Sequence, residues 1–359
     1  MAKKRKTLPT DFEQIAANSN LAELQAVFDK CDINAYGGYW KGNALTFQGI
    51  SEEFIRWAVA TGIDVNAGDT WGYTPVLYQS QNESNNLKVL LELGADIEKR
   101  DKYNCTPLCN AVTRLSATHL LIHSIKSLIE NGADVNSLNG SYDSVMTPLE
   151  KGLRQCQGAQ IYAMAQIADI LLDAGAKKTP AMKEYVQNIG KDFEFYRADF
   201  NKDYLPKTEQ GLEHLYELFD VNPVARRKIH DGSSAIEVKS TTWREQFDEL
   251  WKLLVPGSGH AATIQGEVIR VTGKVSREIW DNGACNWNKG YKKLPQALPA
   301  YFAMGNPLAP QDYEEAEKIA KSISANSEIE TLDCLCEFAV KWVLLNPVPI
   351  ALQAVDYEW

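Results

Sequence analysis

Acidic, basic, histidine and cysteine side chains at reactive intervals gather at two places in the 359-residue chain. The first is His260, Glu267, Arg270 and Glu278, followed by Asn286 and Trp287. Glu267 and Arg270 are three apart and can pair on one helix face. Glu278 lies eleven residues beyond Glu267, on nearly the same face. Two carboxylates so placed could serve as general acid and base. Surface ion pairing and packing is the simpler expectation for them. Just upstream, Val255-Pro256-Gly257-Ser258-Gly259-His260 sets glycines before a helix, where backbone N–H groups could meet an anion. No Lys-Ser/Thr pair completes a phosphate loop there, so a plain connection between helices is expected. Trp280, Trp287 and Tyr291 lie in a locally basic stretch that could stack on nucleic acid. The acidic segment after residue 301 offsets it, so pairing inside one domain is the expected use.

The second place is Cys105, Cys109, His119 and His123, which have the look of zinc ligands. The central gap of nine residues is shorter than a finger needs. Cys105 and Cys109 also flank Thr106-Pro107, so core packing is expected and no metal. Cys334 and Cys336 are likewise expected to pack. Seven cysteines in so long a chain make no disulfide framework, and no secretory signal is visible. The expectation is reduced thiols in a cytoplasmic protein that needs no cofactor.

Those cysteines sit in an array. Gly62-Ile63-Asp64-Val65-Asn66 precedes Asp69-Thr70-Trp71-Gly72-Tyr73-Thr74-Pro75. A second copy, Gly94-Ala95-Asp96-Ile97-Glu98 and then Asp101 to Leu108, lies 32 residues on at both motifs. Asp32-Ile33-Asn34 extends the pattern upstream. Gly132-Ala133-Asp134-Val135-Asn136 with Thr147-Pro148-Leu149, then Ala174-Gly175-Ala176 with Thr179-Pro180, extend it downstream. A period near 33 signals stacked units that cannot bury their apolar faces alone. Glycine after each helical run suits a left-handed helix end, and Thr-Pro suits a cap and first helical residue.

This pattern closely resembles the ankyrin repeat over roughly residues 10–200. The resemblance implies paired antiparallel helices with a projecting β-turn finger per unit, and a role in binding proteins through the concave face and finger tips. The histidine usual after T-P-L is absent: Leu77, Cys109 and Glu150 stand near it. The spacings of 38 and 43 after Gly94 and Gly132 require insertions, expected at Arg114–His123 and Gln155–Ala163. Separately, Trp251–Tyr291 resembles a module of poorly defined role in bacterial proteins.

The expected organisation is a disordered basic tail over 1–9, a repeat domain over 10–200 with capping helices, a linker over 201–207 and a compact helical domain over 208–359. The fold class is predominantly all-α. A capping box at Thr242-Trp243-Arg244-Glu245 starts one helix of the second domain. A long helix from Ala262 to Trp280 is expected to bury Val268, Val271, Val275 and Ile279 and to expose Gln265, Glu267, Arg270, Lys274 and Glu278. A small hairpin is possible in Ile229–Val238. The net charge of −10 argues against general nucleic-acid binding, and no apolar run is long enough to span a membrane.

The expected binding residues come from the fingers. Counting seven from each turn aspartate gives the column Tyr39, Trp71, Tyr103, with Tyr142 one residue out of step. Tyr36, Trp40 and Tyr73 flank it, and Arg100 and Lys102 lie on the rim beside Asp69 and Asp101. The repeat pattern needs no large aromatics at these tips for packing; either each ring leans on its neighbour and stiffens the fingers, or the row forms rigid anchors of a protein interface. The function these residues point to is a non-enzymatic protein binder, specifically a bacterial immunity or inhibitor protein that occludes a toxin or enzyme. The alternatives are an enzyme whose C-terminal module holds the active site, or a scaffold for two partners.

Overall fold

The computed structural model describes residues 3–81, 86–114, 118–141 and 144–357, without the side chains of 118–120. The chain divides into two compact units. The first holds residues up to Asp192 together with Asn201–Val224; the second holds Phe193–Phe200 and Ala225–Trp359.

The first unit is a stack of helix pairs. Phe12–Asn18 with Leu21–Lys30 opens it. Ala44–Thr46, a single 3-10 turn, pairs with Glu52–Ala60, then Pro75–Gln79 with Asn86–Glu92. Pro107–Thr113 with Thr118–Glu130, Pro148–Gln155 with Ile161–Asp173, and the helix Pro180–Tyr196 as far as Asp192 with Leu205–Phe219 complete it. The caps work as their residue types dictate. Thr74, Thr106 and Thr147 accept from the backbone N–H of Leu77, Cys109 and Glu150, with proline at the first helical position each time. After the second helices of the repeats Gly62, Gly94, Gly132 and Gly175 all hold φ between 91° and 100°, where a side chain would be strained. The next N–H then closes the helix, as from Ala95 to Leu90 O at 3.0 Å.

Where the family histidine is missing, Glu150 joins units in another way. It accepts from Thr147 N, and also from Thr179 Oγ1 of the following unit. The second helices Thr118–Glu130 and Ile161–Asp173 are longer than Asn86–Glu92, and the turn Gly158–Gln160 precedes the latter of the two; residues 115–117 of the insertion expected at Arg114–His123 lie outside the described residues. The fourth finger holds an Asn139–Met146 bridge.

Three expectations about boundaries differ from the structure. The basic start is not a free tail: Arg5–Thr7 pairs in parallel with Cys31–Gly37, which pairs antiparallel with Gly42–Asn43. Leu8 is buried behind it, and Lys4 Nζ donates to Phe28 O at 2.7 Å. Residues 201–207 run into the helix Leu205–Phe219 rather than forming a linker. That helix closes the repeat stack and is not part of the second unit. Gly211 lets it lie directly on the backbone of Ile161–Asp173, since a Cβ there would sit 2.6 Å from Tyr162 Cα. Leu212, Leu215 and Phe219 are buried along the same face.

The second unit is helical: Trp243–Leu254, Ile264–Trp280, Lys289–Phe302, Pro310–Ser322 and Ile329–Leu345. The 229–238 segment forms a bend rather than strands; Asp231 Oδ1 accepts from the N–H groups of Ser233 and Ser234. Ile264–Trp280 is the central helix and is buried on both its apolar side and much of its expected polar side. On the apolar side Gly273 admits Trp251, whose ring would meet an added Cβ at 2.3 Å. On the other side lies the C-terminal segment. Ile264 N donates to Ile350 O and Leu352 N to Ala262 O, while Gln265 Nε2 donates to the carbonyls of Asn346 and Val348. Among the described residues no helix is long and apolar enough to cross a membrane.

Candidate functional site

The fingers are rigid because their polar groups close on themselves. Asp69 Oδ1 accepts from Trp71 N and Tyr73 N at 2.7 and 2.9 Å, and its Oδ2 accepts from Tyr78 OH at 2.8 Å. Asp101 repeats this with Tyr103 N and Cys105 N, both at 2.9 Å, and with Asn110 Nδ2 at 3.1 Å. Neighbouring fingers are joined by backbone: Thr70 N donates to Trp40 O, and Lys102 N to Trp71 O. A second ladder runs through the turns. Asn34 and Asn66 each donate to the carbonyl of the next turn's glycine, Gly62 and Gly94, and accept from the N–H of Asp64 and Asp96. Asn136 does the same with Gly175 and Lys177, whereas Glu98 can only accept, from Asp134 N. Burial pushes the Glu98 carboxyl above its ordinary range.

On this frame stand the exposed rings. Tyr39 packs edge-on to Trp40 at 4.4 Å, Trp40 to Trp71 at 5.8 Å, and Trp71 stacks on Tyr103 at 5.8 Å with 9° between planes. Lys102 Nζ lies 5.9 Å from the Trp71 ring centre. Tyr39 is 84 % exposed, Tyr103 58 % and Trp71 39 %. Beneath the row is a pocket of ≈ 470 Å³ whose lining includes Trp40, Trp71, Tyr73, Tyr78, Tyr103 and Arg114.

The expected column needs one change of register. Trp40, not Tyr39, is the counterpart of Trp71: its carbonyl takes the next finger's N–H, and Lys41 at φ 61° matches Gly72 at 80°. The first finger carries one residue more between its turn aspartate and its tip, eight from Asp32 to Trp40 against seven from Asp64 to Trp71, so Tyr39 stands outside the row. Tyr36 is exposed on the strand Cys31–Gly37. Tyr73 is half-buried, its hydroxyl donating to Asn110 Oδ1 at 3.4 Å. Arg100 braces rather than rims: its guanidinium donates to Asn104 O and Leu138 O. Asp69 and Asp101 are used inside the fingers, which leaves Lys102 at the rim. Tyr142 lies outside the described residues. Tyr78, Gln48 and Arg114 line the pocket without any periodic signal to announce them.

The residues first considered for catalysis separate. Glu267 and Arg270, 0 % and 1 % exposed at the side chain, form a two-point pair at 2.8 and 2.6 Å. Tyr357 OH donates to Glu267 Oε1 at 2.9 Å and Ala261 N to Oε2 at 3.0 Å. His260 Nδ1 lies 3.0 Å from both Glu267 Oε1 and Arg270 Nη2 and can donate to the first or accept from the second. Burial opposes the Glu267 charge, but Arg270 and these donors outweigh it and lower its pKa. Glu278 is at the other end of the helix, about 16 Å away by helix rise, where it takes Asn282 Nδ2 and Asn286 N. Trp287 packs on Tyr291. The carboxylates are too far apart to act on one bond. Of the four residues first considered for zinc, the described residues hold no metal-ligand cluster, and the His119 side chain is outside them.

No protein-family pattern and no curated protein matches the chain. Among solved structures, an ankyrin repeat domain from Acinetobacter baumannii is 21 % identical, covering 59 % of this chain and 98 % of that one with a TM-score of 0.41. The fold of the first unit is ankyrin-like. That statement stands on its helix pairs, caps and fingers rather than on the likeness.

Proposed function

We propose that the chain is a protein-binding repeat protein whose partner docks on the finger face. The observation that carries this is the row Trp40, Trp71 and Tyr103, exposed over a pocket while the finger carboxylates Asp69 and Asp101 are already used. Rigid aromatic anchors lose little entropy on binding and dominate interface energetics. The narrower reading is a bacterial cytoplasmic immunity or inhibitor protein that occludes a toxin or enzyme; the net charge of −10 would suit a basic target. The test is affinity capture from the native cell with the wild-type chain and with Trp71→Ala/Tyr103→Ala. A partner retained by the first and lost by the second supports the finger face. A partner held equally by both moves the interface elsewhere.

A further inference from the structure

The cysteines expected to be inert do not share one environment. Burial, with smaller help from the Asp192 and Asp333 charges, pushes Cys156 and Cys336 up to about 12. Cys105 is different. It ends the third finger, and Lys151, from the next unit's helix Pro148–Gln155, brings its Nζ to 2.8 Å from Cys105 Sγ. Lys151 is half-buried at the surface, so the contact is one layer deep. Cys105 is 4 % exposed, with its Sγ 3.5 Å from Tyr103 O. Cys109 stands four residues on, fully buried. The Cys109 thiol and then the Lys151 ammonium hold the Cys105 thiol down to about 6, against burial and the Asp101 charge. The same contact and burial raise Cys109. The two sulfurs are thus unlike: an ammonium touches Cys105 and favours its thiolate, while burial holds Cys109 as a thiol.

We propose that Cys105 and Cys109 form a peroxide-oxidisable dithiol, with Cys105 as attacking sulfur, Cys109 as resolving sulfur and Lys151 as proton carrier between them. The Cys105 thiolate attacks one oxygen of a hydroperoxide, here hydrogen peroxide. The O–O bond breaks, and the departing hydroxide takes a proton from the Lys151 ammonium and leaves as water. Cys105 is now a sulfenic acid and Lys151 an amine. The amine takes the Cys109 proton, the Cys109 sulfur attacks Cys105, and the S–O bond breaks. That hydroxide takes the proton back from Lys151 and leaves as the second water. Two thiols have lost two electrons to one peroxide, and the S–S bond closes a loop around Thr106-Pro107. Lys151 loses the anion that holds it, so oxidation also removes a contact between the third and fourth units.

The test exposes the reduced full chain to a small excess of hydrogen peroxide, followed by alkylation, digestion and mass spectrometry. Cys105 and Cys109 should become linked with loss of two hydrogens, while the exposed Cys285 and Cys334 are still alkylated. Cys109→Ser should stop at a Cys105 sulfenic acid that dimedone traps. Lys151→Met should slow the reaction about tenfold or more, following the lost thiolate fraction, and Lys151→Arg should restore most of the rate. Faster oxidation of Cys285, an unchanged rate in Lys151→Met, or a wild-type sulfenic acid that never links to Cys109 overturns the proposal. If Lys151→Met does not fold, the wild-type rate against pH decides. A midpoint of about 6 supports the assignment, and one near the ordinary 9.0 overturns it.

Discussion

The finger row and the Glu267–Arg270 cluster use the residue types that sites are made of, and they are finished in opposite ways. In the fingers, Asp69 and Asp101 turn inward to backbone N–H groups and leave the rings outside. In the second unit Glu267, Arg270, Tyr357 and Tyr301 satisfy one another, with Tyr301 OH 2.8 Å from Tyr357 OH, and little of the cluster reaches solvent. Apolar surface left exposed on a frame with satisfied polar groups is available to a partner. A polar cluster closed on itself in a core specifies which segments meet. The first is therefore expected to govern affinity and the second stability.

The largest effect should come from breaking the buried pair. Glu267→Gln or Arg270→Met leaves the other member uncompensated in the core and should cost about 3–5 kcal/mol in chemical denaturation. A variant of full stability that alters a catalysed reaction would return this cluster to the list of candidate sites. Next come the rings. Trp71→Ala or Tyr103→Ala should weaken partner binding by ~2 kcal/mol or more, with a loss of stability of about 1 kcal/mol from the broken stack. Calorimetry of binding and melting on the same variants separates the two, and the opposite ratio would make the row structural.

Smaller effects sharpen what makes the frame rigid. Asn66→Ala removes a donor to Gly94 O and an acceptor for Asp96 N, and should cost about 1 kcal/mol. Glu98 replaces that asparagine in the next turn, and its raised carboxyl gives a pH dependence. The folded chain holds the Glu98 proton more tightly than the unfolded chain does. Its stabilising contribution is therefore present below the ordinary value of 4.5 and lost as pH rises through the folded value. Glu98→Asn should abolish this component, seen as a smaller difference between melting curves in mild acid and at neutral pH.

The repeat stack is legible along the chain because its signals are local. A threonine cap, a proline at the first helical position and a glycine at a left-handed helix end act within a few residues of themselves, and so they can be counted along the chain. The aromatic tips were legible for the same reason, as positions at a fixed distance from a turn aspartate. That Trp40 rather than Tyr39 joins the row comes from the folded stack, since it depends on which carbonyl the next finger's N–H reaches. The folded stack alone placed Leu205–Phe219 with the repeats, through contact between Gly211 and Tyr162. The helix Ile264–Trp280 shows the limit most plainly. Gln265, Glu267 and Arg270 read as a solvated face because charge pattern on an isolated helix says which residues prefer water. Their burial rests on partners as far away as Tyr357, 90 residues from Glu267, and no local preference encodes a contact whose free energy exists only when both segments are folded.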